Sequence, residues 1–252
     1  MKYALITGGA TGIGRGFANA LSDIGYNLIL TSRNLDNLAQ AKKEIEKKYS
    51  NKVQIFICDL TLPEMRKKLF NYTSNYNVSV VINNAGIGYS SDFYSGDLER
   101  EKYLIELNLI ALHDVFKHYY QIFYDQKSGR IINVSSLGSL FPGPNAATYF
   151  ANKAYVTSLT RSVAIEARKQ GVEVQVLCPG STKTQFYKTA GTKPTSYRGN
   201  PNAVARKAVE SKRVMIVPGF KAKAIHLLTK ILPSALIGRI AYYRQRRKKV
   251  KE

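Results

Sequence analysis

The sequence predicts an α/β fold: a doubly wound, mostly parallel seven-stranded sheet with helices on both faces. Two observations indicate it. Short apolar runs alternate with longer segments of helical periodicity, such as GRGFANALSDIG, and this alternation is typical of βαβ units. The runs are also continuously apolar, as in strands covered on both faces. The predicted strands span residues 3–7, 26–32, 53–58, 78–83, 130–136, 172–178 and 213–218.

The chain length of 252 residues suits one large domain. Because no repeat or linker divides residues 1–220, we expect them to form that domain. Within it, residues 185–202 are polar and rich in Gly, Pro and Thr, and they predict a mobile excursion. Residues 221–252 form a basic, amphipathic C-terminal extension, interrupted by Pro233. Its apolar residues at helical spacing are Ala224, Leu227, Leu228 and Ile231.

The net charge of +21 favours nucleic acid, anionic membrane or phosphorylated ligands as partners. No nucleic-acid recognition motif accompanies the charge, so nucleic acid is not predicted. No apolar run reaches the roughly 18 residues of a membrane span, and the N-terminus is unlike a signal peptide, so the expected location is cytoplasmic. The extension either contacts an anionic membrane peripherally or packs on its own domain or a neighbouring subunit.

The cysteines and histidines do not suggest a metal site. Cys58 and Cys178 each end an apolar run, which predicts two buried, reduced thiols. The three histidines show no ligand spacing with them, so we predict no bound metal.

A glycine-rich turn follows the first predicted strand and opens the first helix, with the sequence TGGATGIG. Glycines at this point let the backbone approach a pyrophosphate, to which the helix N-terminus offers N–H groups. We therefore predict a Rossmann-type dinucleotide site. The residues of the turn assigned to it are Thr7, Gly8, Gly12, Ile13 and Gly14.

The second predicted strand ends at Ser32 and Arg33, with no acidic residue before Asp36. A protein selective for NAD places a carboxylate here, whereas an arginine matches a ribose 2′-phosphate. The sequence therefore predicts NADP(H). The next strand ends add residues to the same predicted cofactor site: Asp59, Leu60, Asn84, Ala85 and Gly86.

Together these motifs resemble the short-chain dehydrogenase/reductase family. The resemblance covers roughly residues 1–220 and rests on TGxxxGxG, NNAG, an asparagine, a serine, YxxxK and CPGSTKT in the family's order. It implies that the catalytic residues are Asn108, Ser136, Tyr149 and Lys153. It also implies that Tyr149, Lys153, Pro179, Gly180, Thr182 and Thr184 contact the cofactor, and that 185–202 is the substrate loop. A homo-oligomer, dimer or tetramer, is expected through the helices that contain Asn108 and Tyr149.

The implied chemistry is reasonable for these side chains. A ketone that gains a hydride needs a proton, and the lysine four residues after the tyrosine is expected to lower the pKa of the phenol from about 10. Ser136 would bond the carbonyl oxygen, with Ser135 and Ser139 as rivals. We predict an NADP(H)-dependent oxidoreductase that interconverts a ketone or aldehyde and the corresponding alcohol. The alternative is a non-catalytic NADP-binding sensor or scaffold, associated or not with a membrane surface.

Overall fold

A computed structural model describes residues 1–193 and 198–246, and within them it confirms the predicted sheet. Seven parallel strands lie in the order β3-β2-β1-β4-β5-β6-β7. Their bounds are β1 Tyr3–Thr7, β2 Asn27–Ser32, β3 Val53–Ile57, β4 Val78–Asn83, β5 Gly129–Val134, β6 Val172–Leu177 and β7 Met215–Ile216.

Two predicted strands miss an observed strand end by two residues or more. β7 has only two residues, because it is an edge strand that pairs with β6 alone and is followed by Pro218, which has no N–H to donate. β5 ends at Val134, two residues before Ser136. Ser136 instead begins a 3₁₀ turn, Leu137–Leu140, as its N-cap. The change of backbone direction at this point brings Ser136 out of the sheet.

The helices account for most of the remaining chain. They are α1 (Gly12–Asp23), α2 (Leu35–Lys48), α3 (Pro63–Thr73), α4 (Leu98–Ile105), α5 (Ala111–Asp125), α6 (Ala147–Glu166), α7 (Phe186–Ala190), α8 (Pro201–Glu210), α9 (Phe220–Ile231) and α10 (Ser234–Arg246). A π-helical turn, Glu106–Ile110, joins α4 to α5. None of the described helices combines the length and apolar character that crossing a bilayer requires.

The helices cover both faces of the sheet, because successive strand residues point to opposite sides. The even-numbered residues of β1 and β2 pack on one side of the sheet with α1, α2 and α8. The odd-numbered residues pack on the other side with α3, α5 and α6. The first core includes Ala4, Ile6, Leu28, Leu30, Phe17, Leu38 and Ala205. The second includes Leu5, Ile29, Leu69, Val115, Phe123 and Ala164. Cys58 and Cys178 are free and buried, as predicted.

The strand order reverses between β1 and β4, which are neighbours in the sheet although two strands separate them in sequence. Open α/β sheets bind ligands in the crevice at such a point, outside the carboxyl ends of the strands. The glycine-rich turn follows β1, and the NNAG segment follows β4. The sheet therefore brings the two main predicted cofactor motifs to one crevice.

The two segments that depart from strand–helix alternation contain helices. The predicted excursion at 185–202 includes α7, which ends at Gly191 in a left-handed conformation (φ +64°). The described part of the C-terminal extension lies in α9 and α10, interrupted as predicted at Pro233. Tyr197 of the predicted excursion and the last six residues of the basic end lie outside the described residues.

Candidate active site

The glycine-rich turn leaves no room for side chains. Gly8 and Gly12 have φ values of +62° and +57°, which favour glycine. A Cβ on Gly14 would lie 2.1 Å from the carbonyl oxygen of Gly8, closer than two non-bonded heavy atoms can approach. The turn is therefore a side-chain-free floor of the kind that lets a dinucleotide approach the backbone.

Two predicted cofactor residues hold this floor in place. The Thr7 hydroxyl accepts hydrogen bonds from the backbone N–H groups of Asn84 and Ala85, at 2.9 and 3.0 Å. The Asn84 amide donates to the carbonyls of Thr7 and Gly8, at 3.0 and 3.1 Å. Both side chains are engaged in joining the end of β1 to the end of β4. Their role in this structure is to fix the crevice.

The N-terminus of α1 suits an anionic group. Within the described chain, its N-cap Thr11 makes no side-chain capping bond, and its first turn carries no acidic residue. The backbone N–H groups of this turn, including Ile13, can therefore serve a pyrophosphate. A cavity of about 510 Å³ opens here, lined among others by Thr11, Gly12 and Thr184.

Three basic side chains that the sequence analysis did not assign, those of Arg15, Lys183 and Arg198, also line this cavity. The Arg15 guanidinium is bound to Glu44 at 3.0 Å. The available signals were the positions of Arg15 beside Gly14 and of Lys183 inside CPGSTKT. Arg198 carried no signal of its own.

Arg33 directly follows β2, the strand that pairs with β1 on the side away from β4. Its guanidinium donates to the Tyr103 hydroxyl of α4 and lies 5.7 Å from the centre of that ring. Burial raises the pKa of Tyr103, the Arg33 charge lowers it, and the Asp59 charge raises it. Arg33, Tyr103 and Asp59 thus form one polar cluster after β2 and β3. Sequence analysis missed Tyr103, because 70 residues separate it from Arg33.

Asp59 and Leu60 shape the loop after β3. The Asp59 carboxylate accepts from the backbone N–H and the hydroxyl of Thr61, at 3.0 and 2.7 Å. The Leu60 carbonyl accepts from the buried guanidinium of Arg66 at 2.6 Å. Arg66 also contacts Glu106 at 2.8 Å and Asp114 at 2.9 Å. It therefore joins the loop after β3 to the π turn and to α5.

The three candidate serines have different surroundings. Ser135 is buried, donates to the Lys153 carbonyl at 2.8 Å and bonds the Thr157 hydroxyl at 2.7 Å. Ser139 accepts from Thr157 at 2.8 Å. Ser136 accepts from the Gly138 N–H at 3.1 Å and hydrogen-bonds Tyr149. The structure thus brings Ser136, as predicted, to the phenol, whereas the other two serines are part of the α6 packing.

The pKa of Tyr149 differs from the expectation. Burial raises it to about 12, the Ser136 hydrogen bond lowers it, and Tyr187 raises it. Lys153 is not among the groups that shift the pKa of Tyr149, and its ammonium donates to the Val134 carbonyl at 3.0 Å. The expectation that Lys153 lowers the pKa of Tyr149 is therefore wrong for the chain itself. Tyr149 is a neutral phenol at pH 7.

Lys153 and Asn108 border Gly86 from the side of α6 and the π turn. A Cβ on Gly86 would lie 2.9 Å from Asn108 Oδ1 and 3.5 Å from Lys153 Nζ. The buried amide of Asn108 accepts from the Ile87 N–H at 2.9 Å and donates to the Ile87 carbonyl at 2.8 Å. Burial lowers the pKa of Lys153 to about 8. Asn108 therefore fixes the segment over which the lysine lies.

The segment after β6 passes over Tyr149. Thr184 accepts from the Phe186 N–H at 3.3 Å, and a Cβ on Gly12 would meet its methyl group at 3.0 Å. The Phe186 ring lies 5.5 Å from that of Tyr149. Residues Pro179, Gly180 and Thr182 lie just before: the Pro179 carbonyl accepts from the Leu137 N–H at 2.9 Å, and the Thr182 hydroxyl donates to the Gly180 carbonyl at 3.0 Å.

The geometry therefore unites a side-chain-free crevice, a phenol, a hydroxyl and a buried ammonium at one edge of a parallel sheet. Residues 2–195 match the family model described as short chain dehydrogenase. The chain belongs to the short-chain dehydrogenase/reductase family. As a member, it is an oxidoreductase of CH–OH or C=O groups that uses a nicotinamide cofactor, and the glycine floor and the α1 N-terminus fit that cofactor.

Curated relatives of this short-chain dehydrogenase are a little over a quarter identical to it over the aligned residues. A 7beta-hydroxysteroid dehydrogenase of Mediterraneibacter gnavus is 28% identical over 73% of this chain and 70% of its own. A very-long-chain 3-oxoacyl-CoA reductase of Bos taurus is 28% identical over 96% of this chain and 79% of its own.

Solved structures show the same fold. One from work on the stereoselectivity of a 7beta-hydroxysteroid dehydrogenase has a TM-score of 0.87 and 23% identity, covering 95% of this chain and 96% of that chain. A short-chain dehydrogenase from Sphingobium yanoikuyae in complex with NADPH has a TM-score of 0.83 and 24% identity, covering 93% and 98%. A short-chain dehydrogenase/reductase from Burkholderia phymatum in complex with NAD, at 21% identity, also has a TM-score of 0.83, with 91% and 92% covered.

Proposed function

We propose that this protein is an NADP(H)-dependent reductase of a ketone or aldehyde, with Tyr149 as the general acid. The observation that carries the proposal is the neutral, partly buried phenol hydrogen-bonded to Ser136. A carbonyl carbon that gains a hydride leaves negative charge on its oxygen, and a neutral phenol can donate its proton there. A phenol with a pKa of about 12 is protonated at pH 7, so in the chain alone Tyr149 is set to donate a proton and not to accept one.

The other three side chains serve this proton transfer. Ser136 hydrogen-bonds the carbonyl oxygen and stabilises its growing charge. Lys153 holds the nicotinamide ribose by its ammonium, and Asn108 keeps Gly86 and Ile87 in position. When bound, a reduced nicotinamide would supply the hydride.

Specificity for NADP(H) rests on Arg33. The arginine directly follows β2, where a carboxylate would select NAD, and its planar fork matches a phosphate. Tyr103 holds the guanidinium at the crevice. We expect Arg33→Ala to raise the KM for NADPH at least tenfold and to leave that for NADH nearly unchanged. Arg206→Ala, an exposed arginine on α8, is the control. Equal effects on both cofactors would contradict the assignment.

The substrate is proposed to be bulky and largely apolar. Tyr149 is surrounded by the aromatic rings of Phe150 and Phe186, with Tyr187 beside Phe186. The names of the curated relatives refer to hydroxysteroids and to very-long-chain acyl compounds, which are also bulky and apolar. A panel of ketones graded by size, assayed with NADPH, would rank bulky apolar ketones first.

The decisive test of the mechanism compares two tyrosines on the same helix. Tyr149→Phe removes the acid and should lower kcat by at least 100-fold, within the range typical of general acid catalysis. NADPH binding, followed by fluorescence, should remain. Tyr155→Phe removes an exposed hydroxyl that bonds His113 and should leave kcat unchanged. A wild-type chain that binds NADPH and reduces none of the carbonyls would indicate a sensor instead.

We also propose that the chain assembles as a dimer or tetramer through α5 and α6. The π turn and α6 leave Ile110 and Ile165 exposed, and apolar side chains on long helices favour association. Sedimentation at several concentrations measures the state, and a monomer throughout would contradict this proposal. That residues 1–220 form the catalytic domain without the extension stays a prediction.

A further inference from the structure

The two C-terminal helices present an apolar face away from the body of the protein. In α9 the exposed residues recur at helical spacing, and in α10 they do the same. We define the C-terminal apolar face by Phe220, Leu227, Leu228, Ile231, Leu236, Ile240 and Tyr243. Phe220, Ile231 and Tyr243 are 86%, 70% and 63% exposed. Exposed large apolar residues grouped in this way on two consecutive helices indicate an interaction site.

The helices attach to the protein by their opposite sides, through small residues. Ala222 and Ala241 are buried. Ala222 lies against Gly180, where an added Cβ would be 3.6 Å from its own, and Gly238 lies against Pro142 at 3.8 Å by the same measure. The two helices therefore bury their small residues against the domain and leave their large apolar residues exposed. The exposed face is thus fixed relative to the body.

The basic residues around the C-terminal apolar face indicate which kind of partner binds it. Residues 220–246 contain no Asp or Glu. On a helical projection Lys221, Lys223 and Lys230 flank the apolar stripe of α9, and Arg239 flanks that of α10. A second copy of a chain with a net charge of +21 would bring the same cations to the contact, whereas anionic lipid headgroups attract them. A stripe of apolar residues between basic residues is also the pattern of helices that lie in a membrane interface.

We propose that the C-terminal apolar face docks on an anionic membrane, with α9 and α10 lying in the interface. The docking has a consequence for the substrate, and this part rests on the proposed function. Gly180, on which α9 packs, lies two residues before Thr182, and Pro142, on which α10 packs, lies six residues after Ser136. The catalytic side chains are therefore held beside the membrane-facing helices, where an apolar ketone dissolved in lipid would reach them.

Vesicle flotation with the full chain tests the docking. Wild-type protein should float with phosphatidylcholine vesicles that contain phosphatidylserine, float much less with pure phosphatidylcholine, and be released in part by high salt. Ile231→Ser should weaken flotation about tenfold, the factor expected from losing the burial of one large aliphatic side chain. Ile24→Ser, an isoleucine that is 57% exposed at the end of α1, is the matched control and should float as wild type.

Further variants separate the possible outcomes. Lys223→Glu with Lys230→Glu should abolish the preference for phosphatidylserine. Reduction of a small water-soluble ketone should be unchanged in Ile231→Ser, and Tyr149→Phe should still float, so failure of the docking and failure of the proposed function are distinguishable. Wild-type protein that ignores both vesicles, or Ile231→Ser that floats equally well, overturns the proposal. A change of oligomeric state in Ile231→Ser without vesicle binding would overturn it in favour of a contact between copies.

Discussion

Replacing Arg66 by Met should destabilise the protein more than replacing any exposed arginine. The Arg66 side chain is 5% exposed and joins the Leu60 carbonyl, Glu106 and Asp114. Met keeps much of the apolar stem and removes the charge and its hydrogen bonds. The substitution therefore isolates the polar part of the contact.

The magnitude follows from the partners left behind. The buried Leu60 carbonyl loses its donor, which costs about 1–3 kcal/mol. The carboxylates of Glu106 and Asp114 are 34% and 43% exposed, so water can replace the guanidinium there, and each adds less than about 1 kcal/mol. The sum is about 1–5 kcal/mol, with a middle value of about 3 kcal/mol. At roughly 2–4 °C per kcal/mol for a chain of this size, that middle value lowers Tm by about 6–12 °C.

Thermal unfolding followed by circular dichroism measures the effect, with Arg206→Met as the control. The Arg206–Asp23 pair is exposed and 3.6 Å long, so its loss should change Tm by no more than a few degrees. Arg66→Lys should recover part of the loss, because one ammonium can reach only some of the three acceptors. If Arg66→Met unfolds at the same temperature as Arg206→Met, the buried contact contributes nothing and the reasoning is wrong.

Three further outcomes follow from the site. Gly14→Ala should abolish cofactor binding in fluorescence titrations, because its Cβ would collide with the Gly8 carbonyl; retained binding would contradict the rigid floor. Reduction should slow as pH rises through about 8, where the pKa of Lys153 places loss of the ammonium, and Lys153→Arg should move that limb to higher pH. Phe186→Ala should expose Tyr149 and lower its pKa from about 12, so alcohol oxidation should begin at lower pH, and an unchanged pH profile would contradict this.

Sequence analysis predicted the fold well, and it located the glycine-rich turn, because both depend on local patterns. Continuously apolar runs located all seven strands, and the glycine spacing located the turn. The length of β7 was not predictable, since an edge strand ends where its single neighbour stops pairing. Ser136 leaves the sheet for a similar reason: its hydroxyl caps a turn, and apolar periodicity does not report such a bond.

The remaining differences arise from contacts between distant parts of the chain. The spacing of Tyr149 and Lys153 places them on one helix face, but it does not show that the Val134 carbonyl binds the ammonium or that α7 covers the phenol. The Arg33–Tyr103 contact joins two elements that only the folded sheet brings together. Likewise, helical spacing in the extension identified an apolar stripe without showing whether it points inward or outward.

The π turn at Glu106–Ile110 sets the angle between α4 and α5. It contains one residue more than an α-helical turn, with Ala111 bonded to Glu106. Deleting one residue there would restore regular helix and rotate α4 by about 100° relative to α5, since each α-helical residue turns by that angle. Tyr103 would then face away from Arg33, while Asn108 stayed beside Ile87. The one extra residue of the π turn thus determines whether Tyr103 can reach Arg33 while Asn108 contacts Ile87.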